Sequence, residues 1–327
     1  MAEETDLAPV LLDERQFAPE RSPLLTLAIP AYRHAQFIEE CLSGLVALEQ
    51  RSLLEIVVLD DASPDETVLI AQECLQRLGI SFRLYRRPQN SGLTAGLKFL
   101  LNEARGSFVL FCASDDRIRP ESLDVVSHQI ASSEFDQHAF VIFGANYVGD
   151  RDGPVYDKDL LEKVTSSAAA LHKWVSEDFP RPLLLQSTVF RTAFLRQVDP
   201  WRQRLLLDDW PTFILASERA AAEQLPIRFD PSTTLVDYRV HAGGLHAAAE
   251  RQIRACLETV ETVVPRHFRR PARSNVSAHA TISYLSEGRL LSALRSYVES
   301  VIASPSPHSL FKAPRLILKA LLQRVWS

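Results

Sequence analysis

The sequence predicts an α/β fold in which a mainly parallel sheet is flanked by helices, with a helical extension at the C-terminus. Apolar and β-branched runs at residues 24–30, 54–60, 80–86 and 107–113 have the length and composition of buried strands. Strands that are apolar throughout and alternate with helices form βαβ units with both faces of the sheet covered. In such sheets ligands bind beyond the carboxyl ends of the strands. The residues directly after each run are therefore the candidates for function.

Two helical stripes lie between these runs. One comprises Phe37, Ile38, Cys41, Leu42, Leu45 and Val46, and the other comprises Val68, Leu69, Ala71, Cys74, Leu75 and Leu78. Both sets recur with the 3.6-residue period of an α-helix. We expect each stripe to face the sheet.

The bulk composition is that of an ordinary globular protein. The chain has 327 residues, of which 46% are hydrophobic and 24% charged, and its formal net charge of −5 gives no overall case for nucleic acid binding. The four cysteines form no CxxC pair, so neither a zinc site nor a disulfide framework is indicated. No apolar run reaches the roughly 18 residues of a membrane span. Residues 1–23 are acidic and lack the apolar core of a secretory signal. We expect a flexible N-terminal segment over residues 1–23 and a cytoplasmic location.

Acidic residues follow the second run. Asp60 and Asp61 end it, and Ser63 with Pro64 and Glu66 then has the pattern of a capping box at the start of a helix. The capping box accounts for the serine and the glutamate. It leaves the two aspartates without a structural explanation.

A second acidic pair, Asp115 and Asp116, follows the fourth run. The purely structural interpretation is a solvated turn before a helix that begins at Pro120. However, adjacent carboxylates repel one another unless a cation or a hydrogen-bond donor stabilises them. Hard oxygen ligands suit Mg²⁺ or Mn²⁺, which bind one or two carboxylates together with substrate phosphates. The pair therefore also predicts a metal bound with a phosphorylated substrate.

The sequence excludes two common phosphate-binding loops. No GxGxxG follows the first run, where IPAYRH stands instead, and no GxxxxGK[ST] occurs. A dinucleotide cofactor and a P-loop nucleotidase are thus disfavoured. A nucleotide-diphosphate donor held by acidic residues and a metal remains.

Four segments in order resemble the family 2 glycosyltransferases, which have the GT-A fold. They are TLAIPAYRHAQFIEECLSGL, EIVVLDDASPDET, RRPQNSGLTAGL and FVLFCASDD, the last at the position of the family's DXD-type motif. The resemblance is strong over about residues 24–130 and looser to about residue 245. It implies a Rossmann-like GT-A domain.

The resemblance also implies roles for individual residues. Pro30 and Tyr32 would line the pocket of the nucleotide base, and Asp61 would hydrogen-bond the base. Asp115 would approach the ribose, and Asp116 would bind the metal on the diphosphate.

Two positions depart from the family pattern. Ala113 stands where many members carry the first aspartate of the motif, so the ribose contact depends on Asp115 alone. Lys98 replaces the usual asparagine in the helix after NSG, where it would contact the diphosphate or face solvent.

Asp208 and Asp209 follow another apolar run, LLL, before Trp210. Acidic residues are favoured at a helix start by the helix dipole, so this pair alone predicts a helix N-terminus. It also resembles the family's ED motif, in which the second acid is the general base. Asp209 would then take the proton of the acceptor hydroxyl.

The resemblance gives further candidates in the second half of the chain. His241 matches a family position near the diphosphate and is a candidate metal ligand, the alternative being a surface histidine. Candidate acceptor contacts are Gln186, Ser187 and Arg191.

The last part of the chain is predicted to be helical. Its end, SLFKAPRLILKALLQRVWS, carries four basic residues and no acidic residue among apolar ones. Such a segment could lie in a membrane interface, or it could pack on the domain or on a partner subunit.

These observations give one hypothesis and one alternative. The hypothesis is an inverting glycosyltransferase of hexosyltransferase type that uses a nucleotide-diphosphate sugar and Mn²⁺ or Mg²⁺. Its acceptor would be a glycan or a lipid-linked molecule. It would act in bacterial surface polysaccharide or other glycan synthesis, at the inner face of the plasma membrane. The alternative is an inactive GT-A-like partner subunit that binds glycan or nucleotide. The expected organisation is a nucleotide-sugar-binding half over residues 24–130, an acceptor-binding and catalytic half over 131–249, and a helical region over 250–327.

Overall fold

The computed structural model describes residues 8–16, 22–157, 161–162, 165–177, 183–203, 205–240 and 249–304. The described residues divide into two compact units. The first, called the sheet unit, takes those within Met1–Ala168, Leu184–Arg204 and Arg219–His241. The second, called the helical unit, takes those within Ala169–Leu183, Leu205–Glu218 and Ala242–Ser327.

The strands of the sheet unit form a single mixed sheet. They are β1 (Val10–Arg15), β2 (Leu25–Ala31), β3 (Leu54–Asp60), β4 (Ser81–Arg86), β5 (Phe108–Phe111), β6 (Arg117–Ile118), β7 (Phe140–Gly149), β8 (Gly153–Pro154), β9 (Thr188–Arg191) and β10 (Ile227–Val240). Their order across the sheet is β1-β4-β3-β2-β5-β9-β7-β10-β6, with β8 paired to β7.

The helices are α1 (Ile38–Ser43), α2 (Thr67–Leu78), α3 (Leu93–Glu103), α4 (Pro120–Ala131), α5 (Ala168–Glu177), α6 (Thr192–Val198), α7 (Asp209–Ala222), α8 (Ala249–Thr262), α9 (Arg269–Ser286) and α10 (Leu290–Ala303). Short 3₁₀ helices span Gly44–Ala47, Arg51–Leu53 and Leu185–Ser187. In the part of the chain that the structure describes, none of the helices combines the length and apolar character needed to cross a bilayer.

Strands β2, β3, β4 and β5 form the parallel block that the sequence predicts. Strand β2 pairs in parallel with both β3 and β5, and β3 pairs in parallel with β4. Every residue of β3 and β5 is buried, which is why these strands read as continuous apolar runs rather than alternating ones. The predicted α/β fold, with its mainly parallel sheet and its helical C-terminal region, is therefore confirmed.

Two predictions about local structure are wrong. The N-terminal segment predicted to be flexible contains β1, which pairs antiparallel with the edge strand β4. Its side chains are mostly exposed, so backbone pairing rather than burial holds it, and the acidic composition gave no sign of this. Val46 and Leu69, assigned to the helical stripes, are 46% and 59% exposed. Val46 leaves its stripe because α1 ends at Ser43 and a 3₁₀ helix, which has three residues per turn, follows. Leu69 lies at the exposed margin of α2.

A buried ionic network lies where β3 and β4 begin to pair. Glu55 and Arg83 are 5% and 4% exposed and form an ion pair of 3.0 Å. The hydroxyl of Thr26 and the backbone N–H of Arg105 both donate to Glu55 Oε1, at 2.6 Å. Arg83 also donates to the backbone carbonyl of Glu103, at the end of α3. The network thus ties β2, β3, β4 and the loop before β5 together at the amino ends of the parallel strands.

At the other side of the sheet, Asp237 holds the short strand β6 against β10. Its carboxylate is 1% exposed and accepts hydrogen bonds from Arg117, the first residue of β6, and from Arg119, directly after that strand. Arg117 Nε lies 3.1 Å from Oδ2, and Arg119 Nε lies 2.9 Å from Oδ1. Burial alone would raise the pKa of Asp237, but the hydrogen bonds and charges of the two arginines outweigh it and hold the pKa below 3.8. Strand β6, which Asp237 anchors, follows the Asp115–Asp116 pair directly in the chain.

We predict that Asp237→Asn destabilises the protein by about 2 kcal/mol at neutral pH, because both charge-assisted forks lose the negative charge that they bind. The native pKa of Asp237 lies below its unfolded value of 3.8. The stabilisation that its carboxylate gives is therefore complete above pH 3.8 and is lost as the pH falls through the native pKa. Urea unfolding at a series of pH values should show the difference between wild type and variant shrinking in acid. Asp136→Asn, at an exposed position, is the control. A difference that is constant across this range would contradict the prediction.

Candidate active site

Three loops meet at the carboxyl edge of the parallel block. They follow β2, β3 and β5, and β2 lies between the other two in the sheet. The register aligns Ala31 with Asp60, the last residues of β2 and β3. The backbone N–H of Asp61 then donates to the carbonyl of Ala31 at 2.9 Å, which joins the first two loops directly. Of the residues predicted to bind the donor, Pro30, Tyr32, Asp61, Asp115 and Asp116 thus lie at this edge, as the sequence indicated for strand ends.

The loop after β3 is organised by Asp60 and Ser63. Asp60 is fully buried, and its Oδ2 accepts the backbone N–H of Ser63 at 3.0 Å and lies 3.4 Å from Arg86 Nε. Burial raises the pKa of Asp60, and the hydrogen bonds from Ser63 and the charge of Arg86 oppose that rise. Asp60 is therefore a structural residue of the loop.

The predicted capping box is wrong. Helix α2 begins at Thr67, its N-cap residue is Glu66, and no side chain caps it there. The hydroxyl of Ser63 instead accepts the backbone N–H of Arg33 at 3.0 Å. Arg33 has a φ of 60°, so its backbone needs an external partner to hold this left-handed turn. Ser63 thus fixes the loop after β2 rather than the start of α2.

Asp61 connects the loop after β3 to the start of α3. It is 7% exposed, and its carboxylate accepts the backbone N–H groups of Ser91 at 3.0 Å and Gly92 at 2.9 Å. Arg87 Nη1 lies 3.6 Å from the same carboxylate. The residue predicted to contact the base is thus already engaged with backbone donors. Its remaining acceptor capacity is what a base could use, and the base contact stays a prediction.

Asp115 and Asp116 lie in a turn closed by a hydrogen bond from the Asp116 N–H to the Ala113 carbonyl, 3.0 Å long. Asp116 is 2% exposed. Its Oδ1 accepts the backbone N–H of Arg239 at 2.8 Å, whereas its buried Oδ2 has no hydrogen-bond partner among the described residues. Burial, and secondly the neighbouring charge of Asp115, raise the pKa of Asp116 well above its usual range.

His34 is a neighbour of this turn that the sequence did not indicate. Its Nδ1 lies 2.7 Å from Ser114 Oγ, and its Nε2 lies 3.8 Å from Asp115 Oδ2. The side chain of Asp115 is 17% exposed, so it is the more accessible of the two carboxylates. The histidine comes from the loop after β2 and therefore links that loop to the acidic turn.

Arg239 holds the acidic turn from β10. Besides its backbone contact with Asp116, its Nε donates to the carbonyl of Asp115 at 2.9 Å. Its Nη2 donates to Glu40 of α1 at 2.6 Å, and its guanidinium lies over the ring of Phe37, 5.0 Å from the centroid. Neither Arg239 nor Glu40 was predicted as a site residue. No local pattern marks them, because their partners are more than 100 residues away in the chain.

The chemistry of this turn fits a divalent cation. A buried carboxylate oxygen without a donor is the kind of ligand that such an ion satisfies, and Asp115 offers a second carboxylate beside it. Within the described residues, however, no group of three or more His, Cys, Asp or Glu side chains is arranged to hold a metal. The protein would thus supply one or two oxygen ligands and a bound phosphate the others. His241, the other predicted ligand, lies outside the described residues.

The remaining donor candidates come from the end of β2 and from α3. Pro30 is half-buried near the end of β2, and Tyr32, directly after the strand, is 40% exposed. Lys98 lies on α3 and forms an ion pair of 3.0 Å with Asp199, the residue that ends α6. The ion pair gives Lys98 a structural partner, and a contact between Lys98 and diphosphate stays a prediction.

Two of the predicted acceptor contacts have structural partners. Ser187 is fully buried, and its hydroxyl shares a hydrogen bond with Tyr156. Arg191 Nη2 donates to the backbone carbonyl of His138 at 2.7 Å. Gln186 is 9% exposed, and its Oε1 has no hydrogen-bond partner among the described residues. Arg191 Nε likewise has no hydrogen-bond partner among the described residues, so Gln186 and Arg191 each keep one unsatisfied atom.

Asp209 belongs to the helical unit and is the first residue of α7. It is half-buried, in the first helical turn, where the helix dipole favours a negative charge. The helix is held by the buried Trp210, whose indole N–H donates to the carbonyl of Val175 on α5 at 2.6 Å. The Thr212 hydroxyl donates to the Asp208 carbonyl at 2.7 Å. The predicted helix start is confirmed, and the role of Asp209 as a base stays a prediction.

Comparison with known sequences finds one family model that matches nearly half of the chain. Residues 26–183 match the model of glycosyl transferase family 2. Uncharacterized protein MT1568 of Mycobacterium tuberculosis is 36% identical over 108 residues, which are 33% of this chain and 32% of that protein. Poly(ribitol-phosphate) β-N-acetylglucosaminyltransferase TarS of Staphylococcus aureus is 30% identical over 115 residues, which are 35% of this chain and 19% of TarS. The chain thus covers a third or less of the length of these relatives.

Solved structures share the fold over most of the chain. TarS residues 1–349 in complex with UDP-GlcNAc superpose with a TM-score of 0.57 at 18% identity, covering 86% of this chain and 81% of that one. The mannosyltransferase PcManGT of Pyrobaculum calidifontis, in complex with GDP-Man and Mn²⁺, also gives 0.57 at 18% identity, covering 98% and 90%. From the family match and the shared architecture together, we conclude that the chain contains a glycosyl transferase family 2 domain over residues 26–183 and has the GT-A fold.

Proposed function

We propose that the protein is an inverting glycosyltransferase that moves a sugar from a nucleotide-diphosphate donor to a hydroxyl of an acceptor. The observation that carries the proposal is the acidic turn. Asp116 presents a buried carboxylate oxygen without a hydrogen-bond partner among the described residues, beside Asp115 and at the carboxyl edge of the parallel strands. The structures of TarS with UDP-GlcNAc and of PcManGT with GDP-Man and Mn²⁺ support a donor of this class.

The donor would be held by residues of the sheet unit. Tyr32 and Pro30 would lie against the base, Asp61 would accept a hydrogen bond from it, and Asp115 would contact the ribose. Hydrogen bonds between the loops support these roles, because the Asp61 carboxylate and the Ser63 hydroxyl each accept a backbone N–H of a neighbouring loop. A site held in this way is organised before the donor arrives.

The diphosphate would be bound by charge. Asp116 would hold Mn²⁺ or Mg²⁺, with His241 as a further candidate ligand and Lys98 as a candidate for direct contact. When bound, the cation would offset the charge that develops on the departing diphosphate. Arg239 would keep the Asp116 side chain in one orientation, since it occupies Oδ1 and leaves Oδ2 for the ion.

The transfer itself would need one base. Asp209 would take the proton of the acceptor hydroxyl as the acceptor oxygen forms a bond to the anomeric carbon. The bond between that carbon and the diphosphate oxygen would break in the same step, which inverts the anomeric configuration. We further propose a glycan or lipid-linked acceptor in surface polysaccharide synthesis, which the relationship to a poly(ribitol-phosphate) glycosyltransferase supports.

We predict that Asp209→Asn lowers the rate of sugar transfer about 100-fold or more, because the acceptor hydroxyl loses its base. Donor affinity, measured by isothermal titration in the presence of Mn²⁺, should stay at the wild-type value. Glu218→Gln, an exposed position on the same helix, is the control and should transfer normally. Asp116→Asn should instead weaken donor binding, since the metal ligand is lost.

Three other outcomes would contradict this proposal. Unchanged transfer by Asp209→Asn would remove Asp209 from the chemistry. A wild-type protein that binds donor but transfers sugar to none of a panel of glycan and lipid-linked acceptors would favour the non-catalytic partner subunit. Release of free sugar at the same rate with and without acceptor would indicate a hydrolase.

The C-terminal segment carries a separate proposal. Residues 305–327 lie outside the described residues, and their four basic side chains among apolar ones support contact with an anionic membrane surface. We predict that the full chain floats with vesicles containing anionic lipid and that removal of residues 305–327 greatly reduces the floated fraction. Vesicles of neutral lipid are the control. Equal flotation of both proteins would contradict membrane contact through this segment.

A further inference from the structure

Helix α10 is packed with its small side chains inward. Ala293, Ser296 and Ser300 are its buried residues. They face α9, where Ser300 donates to the backbone carbonyl of Ser274 at 2.8 Å. Small residues let two helices approach closely, so this face is already used within the helical unit.

The large apolar side chains of α10 point the other way. Leu291, Leu294, Val298 and Ile302 are 86%, 51%, 46% and 71% exposed. Their spacing of three, four and four residues keeps them in one line along the helix, which we call the α10 stripe. A contiguous apolar stripe on an exposed face is typical of a surface that binds a partner.

The α10 stripe has the symmetry of a surface that pairs with itself. If two copies of the helix lie antiparallel, Leu291 faces Ile302 of the other copy and Leu294 faces Val298. The position halfway between the two residue numbers is near 296 for both pairs. A single two-fold axis passing near residue 296 can therefore generate both contacts. A symmetric dimer requires such self-complementary contacts. If a residue i of one chain contacts a residue j of the other, then j of the first chain must also contact i of the second.

The charges beside the stripe obey the same symmetry. Arg295 and Glu299 lie on one flank and form an intrachain pair of 3.1 Å, with side chains 83% and 49% exposed. A two-fold axis perpendicular to an antiparallel helix pair brings each flank opposite the same flank of the partner. Arg295 of one copy then faces Glu299 of the other, with a midpoint within a residue of that of the apolar pairs. The flank is charge-balanced, whereas a helix that lies on a membrane has a basic polar face.

From the apolar and charge symmetry together, we infer that the α10 stripe is the contact surface of an antiparallel homodimer. The inference uses only the helical unit and does not depend on the proposed function. The helix is 14 residues long, or about 21 Å at the rise of an α-helix. Because one helix pair of this size is a small interface, we expect a dimer that dissociates on dilution.

Sedimentation velocity of the full chain over a concentration series tests the inference. The wild type should shift from the mass of one chain to that of two as concentration rises. Leu294→Glu should stay monomeric, because it places a charge in the stripe. Leu69→Glu is the matched control, since Leu69 is also a helical leucine, 59% exposed, but lies on α2. Circular dichroism should show that both variants keep the wild-type fold.

A charge exchange tests the antiparallel geometry. Arg295→Glu or Glu299→Arg alone should weaken the dimer at least tenfold, because like charges then face each other across the axis. An equimolar mixture of these two variants should dimerise again, since the acidic flank of one chain meets the basic flank of the other. Repulsion within each helix is the same in the mixture as in the separate variants, so recovery reports the contact between chains.

Several results would overturn the inference. These are a wild type that remains a single chain at every concentration, or a mixture of the two charge variants that associates no better than each alone. If the wild type is monomeric and floats with anionic vesicles, and Leu294→Glu abolishes that flotation, the stripe would be assigned to lipid instead. A monomer that dimerises only after residues 305–327 are removed would assign it to the chain's own C-terminal segment.

Discussion

The candidate site depends on how Arg239 holds the turn of Asp115 and Asp116. Two adjacent carboxylates at a strand end repel each other, so they stay together only where donors fix them. Arg239 supplies a backbone N–H to Asp116 and a guanidinium N–H to the Asp115 carbonyl, and it is itself held by Glu40. Asp237, two residues earlier on β10, holds the arginines that follow the turn. Strand β10 therefore sets the position of the acidic turn.

In this arrangement Arg239 compensates only in part for the burial of the Asp116 carboxylate. Asp116 is almost completely buried, and its pKa is raised by that burial and by Asp115. Desolvating a carboxylate is costly unless a cation or further donors compensate for it. Each of the two buried aspartates, Asp60 and Asp116, has one oxygen bound to a backbone N–H and one oxygen without a hydrogen-bond partner among the described residues. Asp60 also forms an ion pair with Arg86, whereas the like charge of Asp115 lies beside Asp116 and raises its pKa further. The contrast between the two aspartates is what separates a structural carboxylate from a candidate ligand.

The strands and the acidic turns could be predicted from the sequence because they depend on local patterns. A fully buried parallel strand such as β3 is a continuous apolar run, and its end is marked by the change to aspartate. The contacts of Arg239 with Asp116 and of Asp237 with Arg117 join residues more than 100 positions apart, so no local pattern reveals them. Ser63 shows the opposite error, because its pattern fits a capping box while a distant backbone N–H takes its hydroxyl. Strand β1 was missed because backbone pairing at a sheet edge leaves no apolar signature.

The most direct test of this account is a crystal structure of the protein with Mn²⁺ and a nucleoside diphosphate, in which anomalous scattering locates the manganese. The account predicts a manganese peak bonded to Asp116 Oδ2, with the diphosphate on the same ion and Oδ1 still bound to the Arg239 N–H. A diphosphate bound at this edge without manganese at Asp116, or manganese bound elsewhere while Oδ2 stays buried and without a ligand, would contradict it.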